Sequence, residues 1–549
     1  MTTRTGGRLL VDALLEQGCD RIFTVPGESF LAVLDALHDT PAIDLVTCRQ
    51  EGGVTFMACA DGTLTGRPGV AFVTRGPGAT NAAIGVHVAR QDSQPMILFI
   101  GDVDRGTRDR EAFQEVDFQA MFAPLAKWAA RIDDAARIPE YVARAYATAM
   151  NGRPGPVVLA LPEDMLCDPV QATPRPRIER PSQDVMIEDV LAVHDLIAKA
   201  QRPVAIIGGA YWNSETVALI EQWGEAAGVP LVAAFRRQDA VSATCPVYAG
   251  NLGYGPNLAL VKRVREADLL IVLGARLGEA TTDGYAIITP DHPGQTLVHI
   301  HPDPEELHSV YRTDLALCCD IHRAVGLLEL QASEASKPHP SGAEAHADYL
   351  AWSHPAARDG VTLDLGQCVA AMRKALPADS IICNGAGNYS GWWHRYWRYE
   401  PGCQLAPTCG AMGYGVPAAT AAALRHPGRT VVALAGDGCF LMNGQELATA
   451  VQHGVSMLVI VVDNSGYGTI RMHQEREYPG RVAATTLANP DFAALARAYG
   501  CWSETVTRTE DFVPALLRAM TGTGVRLLHL KTDIEVITPA TTLSRIAQR

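Results

Sequence analysis

Along most of the chain, short runs of apolar residues rich in Val, Ile and Leu alternate with longer stretches whose apolar positions recur at helical spacing. The short runs are unbroken rather than alternating, and they end in glycine or a polar turn. Such runs read as strands covered on both faces, so the pattern predicts parallel sheets with helices packed on each side. Strands are expected at 70–74, 96–100 and 157–161, then at 204–207, 231–233, 269–273 and 297–300. A last group is expected at 380–383, 431–434, 458–462 and 525–530. Two stretches interrupt this rhythm. Residues 168–184 carry four prolines and little apolar content, and residues 332–345 are small, polar and turn-rich. They divide the 549 residues into three tandem α/β domains, expected at 1–168, 185–331 and 350–549.

Composition narrows the partners. Hydrophobic residues make up 48% and charged residues 19%, enough apolar content for sizeable cores. A net charge of −14, with no local block of Lys and Arg, argues against nucleic acid as a partner. The longest apolar runs are strand length, far short of the roughly 20 residues that span a membrane. Residues 1–10 lack the apolar core of a secretory signal. The expectation is a cytoplasmic protein acting on small molecules. Its 13 cysteines are scattered, and the adjacent Cys318 and Cys319 have no second pair at zinc-ligand spacing, so most read as buried thiols.

In open parallel sheets ligands bind beyond the carboxyl ends of the strands. The run 431–434 leads into Ala435-Gly436-Asp437-Gly438 and then a helical stretch, which Asn443 can cap with Glu446 closing a capping box. Glycines on both sides of Asp437 permit a tight turn and close approach of a ligand. The next expected strand ends in Asp463-Asn464-Ser465-Gly466-Tyr467-Gly468, which puts Asn464 27 residues after Asp437. A carboxylate, an amide oxygen and a turn carbonyl form a hard-oxygen set suited to magnesium bridging a diphosphate. Either half of the pattern alone reads equally as an ordinary turn; the combination is much narrower.

This GDG…DN pattern resembles the fingerprint of the thiamin-diphosphate-dependent enzymes, usually GDG…NN, with Asp463 in place of the first Asn. The resemblance implies Asp437, Asn464 and the main-chain carbonyl of Gly466 as magnesium ligands. It also implies Gly436, Gly438, Cys439, Tyr467 and Gly468 as cofactor-binding neighbours. Arg49-Gln50-Glu51-Gly52-Gly53 resembles the family's RHEQGA, which makes Glu51 the carboxylate that bonds N1′ of the aminopyrimidine. A proton relayed there favours the imino tautomer, whose 4′-nitrogen can remove the C2 proton. Read without the resemblance, Glu51 is a polar residue after an apolar run. Thr74-Arg75-Gly76-Pro77-Gly78-Ala79-Thr80-Asn81 resembles TSGPGATN, implying Pro77, Gly78 and Asn81 on the pyrimidine side, with Arg75 where Ser is usual. Thr408-Cys409-Gly410-Ala411-Met412-Gly413-Tyr414-Gly415 resembles TxGxMGFG. That implies a Gly410 carbonyl accepting from the 4′-amino group and a Met412 side chain propping the cofactor into a V; core packing is the alternative for Met412. Gly385-Ala386-Gly387-Asn388-Tyr389 falls one residue off a dinucleotide fingerprint. The resemblance instead turns Asn388 and Tyr389 toward the diphosphate, where acetolactate synthases usually carry Gln-His.

Within the family the resemblance runs to the acetolactate synthases. Glu111-Ala112-Phe113-Gln114-Glu115-Val116-Asp117 is similar to their AFQE-D segment, implying Gln114 near the reaction centre, with Lys127 following. Gly274-Ala275-Arg276-Leu277 is similar to GxRF, implying that Arg276 meets a substrate carboxylate; an exposed strand-end arginine is the plainer reading. Three departures stand out. His473 replaces a Trp of the biosynthetic enzymes, Leu277-Gly278-Glu279 replaces FDD, and His301 replaces an Asp. The last two lie where the biosynthetic enzymes hold FAD, which leaves FAD open. The run Trp392-Trp393-His394-Arg395-Tyr396-Trp397 reads as an acceptor pocket or as packing. The function implied is a thiamine-diphosphate- and magnesium-dependent carboligase: it decarboxylates a 2-oxo acid such as pyruvate and transfers the acyl carbanion to a second carbonyl compound. A simple decarboxylase releasing an aldehyde and an inactive cofactor-binding paralogue are the alternatives. The family's cofactor lies between two chains, which implies at least a homodimer, commonly doubled to a homotetramer.

Overall fold

The computed structural model describes residues 3–291, 293–332 and 338–548, arranged around three six-stranded sheets whose strands pair in parallel. The first contains β2 (Arg21–Thr24), β3 (Asp44–Thr47), β4 (Gly69–Val73), β5 (Met96–Asp102), β6 (Trp128–Arg131) and β7 (Pro156–Pro162). A small antiparallel pair, β1 (Arg4–Thr5) and β8 (Pro169–Val170), ties its two ends together. The second contains β9 (Pro203–Ile207), β10 (Leu231–Ala233), β11 (Tyr248–Asn251), β12 (Leu269–Leu273), β13 (Thr296–His301) and β14 (Leu315–Cys318). The third contains β15 (Ile381–Asn384), β16 (Gln404–Leu405), β17 (Val431–Gly436), β18 (Met457–Asp463), β19 (Trp502–Val506) and β20 (Val525–Lys531).

The first and third sheets share one strand order, β3-β2-β4-β5-β7-β6 and β16-β15-β17-β18-β20-β19. The central sheet runs β11-β10-β9-β12-β13-β14, a different winding. In each sheet the chain reverses direction beside its opening strand, between β2 and β4, β9 and β12, or β15 and β17. These are the points where parallel sheets offer a crevice.

Packing groups the domains unequally. One buried cluster runs through the first and third domains together, joining Phe56, Met57 and Val86 to Trp393, Tyr414 and Phe440, while the central domain has its own cores. The Phe56 and Tyr414 rings meet edge to face at 5.4 Å. Arg425 of the third domain forks onto Asp61 of the first with two bonds of 2.9 Å. Trp392, Trp393, Tyr396 and Trp397 are all buried, so the aromatic run is chiefly packing, although Trp392 also faces the cavity described below.

The two linker segments are more structured than their composition suggests. In 168–184, Gln17 holds the main chain of Arg175, Pro176 and Ile178. Of the second, residues 333–337 lie outside the described residues, and from Ser341 the chain forms helix Ser341–Trp352. That helix packs Tyr349 against Tyr248 of β11, with ring centroids 4.8 Å apart. Among the described residues no helix is long and apolar enough to cross a membrane. Ten cysteines are buried, in keeping with use as small hydrophobes.

Candidate active site

The parallel register of the third sheet sets Gly436 of β17 opposite Val462 of β18, so the turns that follow emerge side by side. Asp437 opens helix Asp437–Asn443, and its Oδ1 accepts from the Gly438 amide at 2.8 Å. Its Oδ2 accepts from the Gly466 amide at 3.1 Å, and Asn464 Oδ1 accepts from that same amide at 3.2 Å. One N–H therefore gathers two side-chain oxygens from different strands. Asn489 Nδ2 adds a brace, donating at 2.8 Å to both Asp437 and Asp463. Burial raises the Asp437 carboxyl above its ordinary value, against the Gly438 and Asn489 donors. At Asp463 burial is outweighed by His529, whose Nε2 lies 2.9 Å from Oδ2, and by Ser465 and Asn489; its carboxyl is held low. The Asp that departs from the fingerprint thus has its own buried partner.

Beside these groups lies a cavity of about 240 Å³, walled by residues of the third domain alone, among them Asn388, Tyr389, Gly410, Met412, Asp437 and Asn464. Gly438 is required by contact, since a Cβ there would stand 2.5 Å from the Tyr467 ring. Gly410 has a left-handed φ of +73° and faces open space. Tyr389 donates to the Leu434 carbonyl at 3.2 Å, and Cys439 Sγ accepts from the Gly413 amide at 3.2 Å. Asn388 is locked to Thr469 by two 3.0 Å bonds. Gly436, Tyr467 and Gly468 complete the wall. The expected capping box is absent: Asn443 makes no side-chain cap, and Glu446 instead accepts from the amides of Arg49 and Gln50 in the first domain.

Three models of the thiamine pyrophosphate enzymes match the chain in order: the N-terminal TPP binding domain over residues 4–121, the central domain over 190–328 and the C-terminal TPP binding domain over 385–530. The acetolactate synthase large subunit of Corynebacterium glutamicum is 30% identical, over 94% of this chain and 84% of its own length. The isozyme 2 large subunit of Escherichia coli is 30% identical over 96% and 95%, and the acetolactate synthase of Mycobacterium bovis 31% over 94% and 86%. The chain belongs to the thiamine pyrophosphate enzyme family.

In this thiamine pyrophosphate enzyme the first-domain residues form a separate group. Glu51 is the first residue of helix Glu51–Thr65, and its Oε2 accepts from Asn81 Nδ2 at 3.0 Å. Its Oε1 lies 3.5 Å from where a Cβ at Gly78 would stand, so Gly78 and Asn81, which with Pro77 lie in the first turns of helix Gly76–Asp92, stand beside it. The Gln114 carbonyl accepts from the Gly76 amide at 3.0 Å, which ties the 111–117 loop to this group; neighbouring Phe113 is 73% exposed. Arg75, where the motif has Ser, pairs with Glu28 and Glu163. Arg276 lies in neither group. Its Nε donates to Glu306 at 3.1 Å and a second nitrogen to the Gln91 carbonyl at 3.4 Å. Lys127, pulled down to about 8 by burial, is spent on the carbonyls of Asn151 and Arg153.

Residues outside the cofactor motifs complete the arrangement. Asp92 Oδ1 accepts from the amides of Thr408 and Cys409 at 3.0 and 3.3 Å, so the first domain holds the loop leading to Gly410. Asn489 sits in an irregular loop with no signal of its own. Glu446 does leave one, as an acid in a helical stretch that the fold buries completely.

The central domain differs at its crevice. A Cβ at Gly209 would lie 1.9 Å from the Gly274 carbonyl, so the turns after β9 and β12 touch. Trp212 Nε1 donates to the Gly208 carbonyl at 2.7 Å, Arg237 to that of Gly209, and the amides of Gly208 and Gly274 are taken by Leu273 and Ile300. The amides of these two glycines are thus taken by the chain itself. A larger cavity, about 720 Å³, lies where the three domains meet and contains none of the expected site residues.

Proposed function

We propose that the enzyme is a thiamine-diphosphate- and magnesium-dependent carboligase of the acetolactate synthase type. It takes carbon dioxide from a 2-oxo acid such as pyruvate and joins the remaining acyl unit to a second carbonyl compound. The observation that carries the reading is the convergence of Asp437, Asn464 and Gly466 beyond β17 and β18, beside a glycine-walled cavity. One carboxylate, one amide and one carbonyl are hard oxygens that suit magnesium when phosphate oxygens fill the remaining positions. In this reading Asp437, Asn464 and the Gly466 carbonyl hold the metal. Gly436, Gly438, Cys439, Tyr467, Gly468, Asn388 and Tyr389 hold the diphosphate, and Gly410 and Met412 the remainder of the cofactor. Bound thiamine diphosphate supplies an electron sink for the loss of carbon dioxide.

The protein's own share is positioning and proton handling. Glu51, aimed by Asn81, holds a proton at the pyrimidine N1′, and the Gly410 carbonyl receives the amino group. Met412 would pack against the bound cofactor, and Gln114 would stand near the reaction centre. Arg276, expected to meet a substrate carboxylate, is held by Glu306 and the Gln91 carbonyl apart from both groups. No first-domain residue lines the cavity, which supports a site completed by Glu51 of a second copy: a homodimer, with the homotetramer its doubled form. The scheme has no net redox step and so needs no flavin.

Purified protein supplied with thiamine diphosphate, magnesium and pyruvate is expected to yield one coupled hydroxy-oxo acid for each carbon dioxide released. Release of carbon dioxide with free aldehyde alone would replace the ligase by a simple decarboxylase. Cofactor binding without turnover across a panel of 2-oxo acids would leave an inactive paralogue.

A further inference from the structure

Glu446 is wholly buried in the third domain, in the 3₁₀ turn Gly444–Glu446. Among the described residues it has no Lys or Arg at ion-pair distance. A buried carboxylate without a cation is unfavourable unless hydrogen bonds replace its water. Here they come from the first domain: the Arg49 amide donates to Oε1 at 3.0 Å and Oε2 at 3.3 Å, and the Gln50 amide donates to Oε1 at 2.9 Å. Thr449 supplies a further donor from its hydroxyl. A Cβ at Gly53 would fall 2.6 Å from Oε1, so the bare glycine lets the carboxylate sit inside the first turn of the Glu51 helix.

The free amides at the start of a helix need acceptors, and a charged one binds them most strongly. Gln50 caps the Gly53 amide from within the helix, at 3.1 Å. Glu446 fixes the two amides immediately before Glu51 from outside it. Asn81 aims the Glu51 carboxylate, but Glu446 fixes the backbone from which that carboxylate starts. The acid stands a short way along the same segment as Asp437, so one stretch of the third domain carries both a proposed metal ligand and the anchor of the Glu51 turn.

Building on the proposed function, we infer that Glu446 is a positioning residue: it holds the Arg49–Gln50 backbone so that Glu51 is presented to the pyrimidine of thiamine diphosphate. The readout is the rate at which the C2 hydrogen of bound cofactor exchanges with deuterium from solvent, measured by acid quench and NMR without substrate. Glu51→Gln is expected to slow exchange by about a hundredfold or more. Glu446→Gln is expected to slow it by at least about tenfold, with the magnesium-dependent Kd for the cofactor unchanged. Glu446→Asp, which keeps the charged acceptor, recovers part of the rate and remains informative if the Gln variant fails to fold. The double variant is no slower than Glu51→Gln alone, because both act through one carboxylate. Parental exchange rates in Glu446→Gln, or additive losses in the double variant, overturn the inference while leaving the proposed function standing. Parental exchange in Glu51→Gln overturns the proposed function itself.

Discussion

The third and central sheets each have six parallel strands and a reversal beside the opening strand, yet their strand ends have opposite character. Beyond β17 the chain turns through Gly436-Asp437-Gly438 and leaves a cavity with oxygens converging at its edge. Beyond β9 it turns through Gly208-Gly209, and those glycines bring two backbones into contact. Glycine at a strand end therefore serves close approach in both domains, to a cavity in one and to the protein itself in the other. What separates them is what the close approach serves: oxygens gathered at a cavity edge in one, backbone against backbone in the other. The fold presents the crevice, and the residues lining it decide whether anything can bind.

That contrast breaks first at Asp437. Asp437→Ala removes the acceptor that gathers Gly466 and Asn489, and magnesium-dependent cofactor binding is expected to vanish in a calorimetric titration. Gly209→Ala is the matching change in the central domain, where a side chain meets the Gly274 carbonyl at a φ of +80°. It is expected to lower unfolding stability by about 3 kcal/mol in a denaturant titration, while the folded fraction keeps the parental cofactor Kd. Gly438→Ala pushes on the Tyr467 ring and is expected to weaken cofactor binding by about tenfold, at roughly 1–2 kcal/mol of overpacking. Trp212→Phe loses the bond to Gly208 and part of a buried ring, about 1–2 kcal/mol of stability, and the protein as purified is expected to show no visible flavin absorption band. Such a band would undo the comparison from the central side.

A further effect is a pH dependence. Burial raises the Asp92 carboxyl from 3.8 to about 6, against the Thr408 and Cys409 donors that favour its charged form. A raised acid binds its proton more tightly folded than unfolded, so its contribution to stability falls as pH rises from about 3.8 to about 6. Asp92→Asn keeps an acceptor for Thr408 and is expected to flatten the Tm profile across that window.

The interior of the fold was legible because it is apolar on both faces. All eleven expected runs are strands, and every one lies inside its sheet. All six edge strands, β3, β6, β11, β14, β16 and β19, escaped the pattern, as did interior β2. Trp502–Val506, for example, is mostly open to solvent, and Gln404–Leu405 is two residues long, so neither makes an apolar run. At the candidate site, the segments around Asp437, Asn464 and Glu51 carry short motifs that glycine geometry and strand ends make readable. Their supports do not. Asn489, His529, Asp92 and Glu446 act across tens to hundreds of residues, and only the folded chain brings them to their partners. The capping box expected at Asn443 failed for that reason, since a tertiary partner claimed Glu446.

The central claim is that each site joins the third-domain cradle of one chain to Glu51 of another. Co-expression of a Glu51→Gln chain with an Asp437→Ala chain tests it most directly, because each variant alone is expected to lose nearly all turnover. If the site is shared, the mixed dimer has one position bearing both defects and one bearing neither, and random pairing restores about one quarter of the parental turnover. If each chain builds its own site, every site in the mixture keeps one defect, and recovery of no activity would contradict the account.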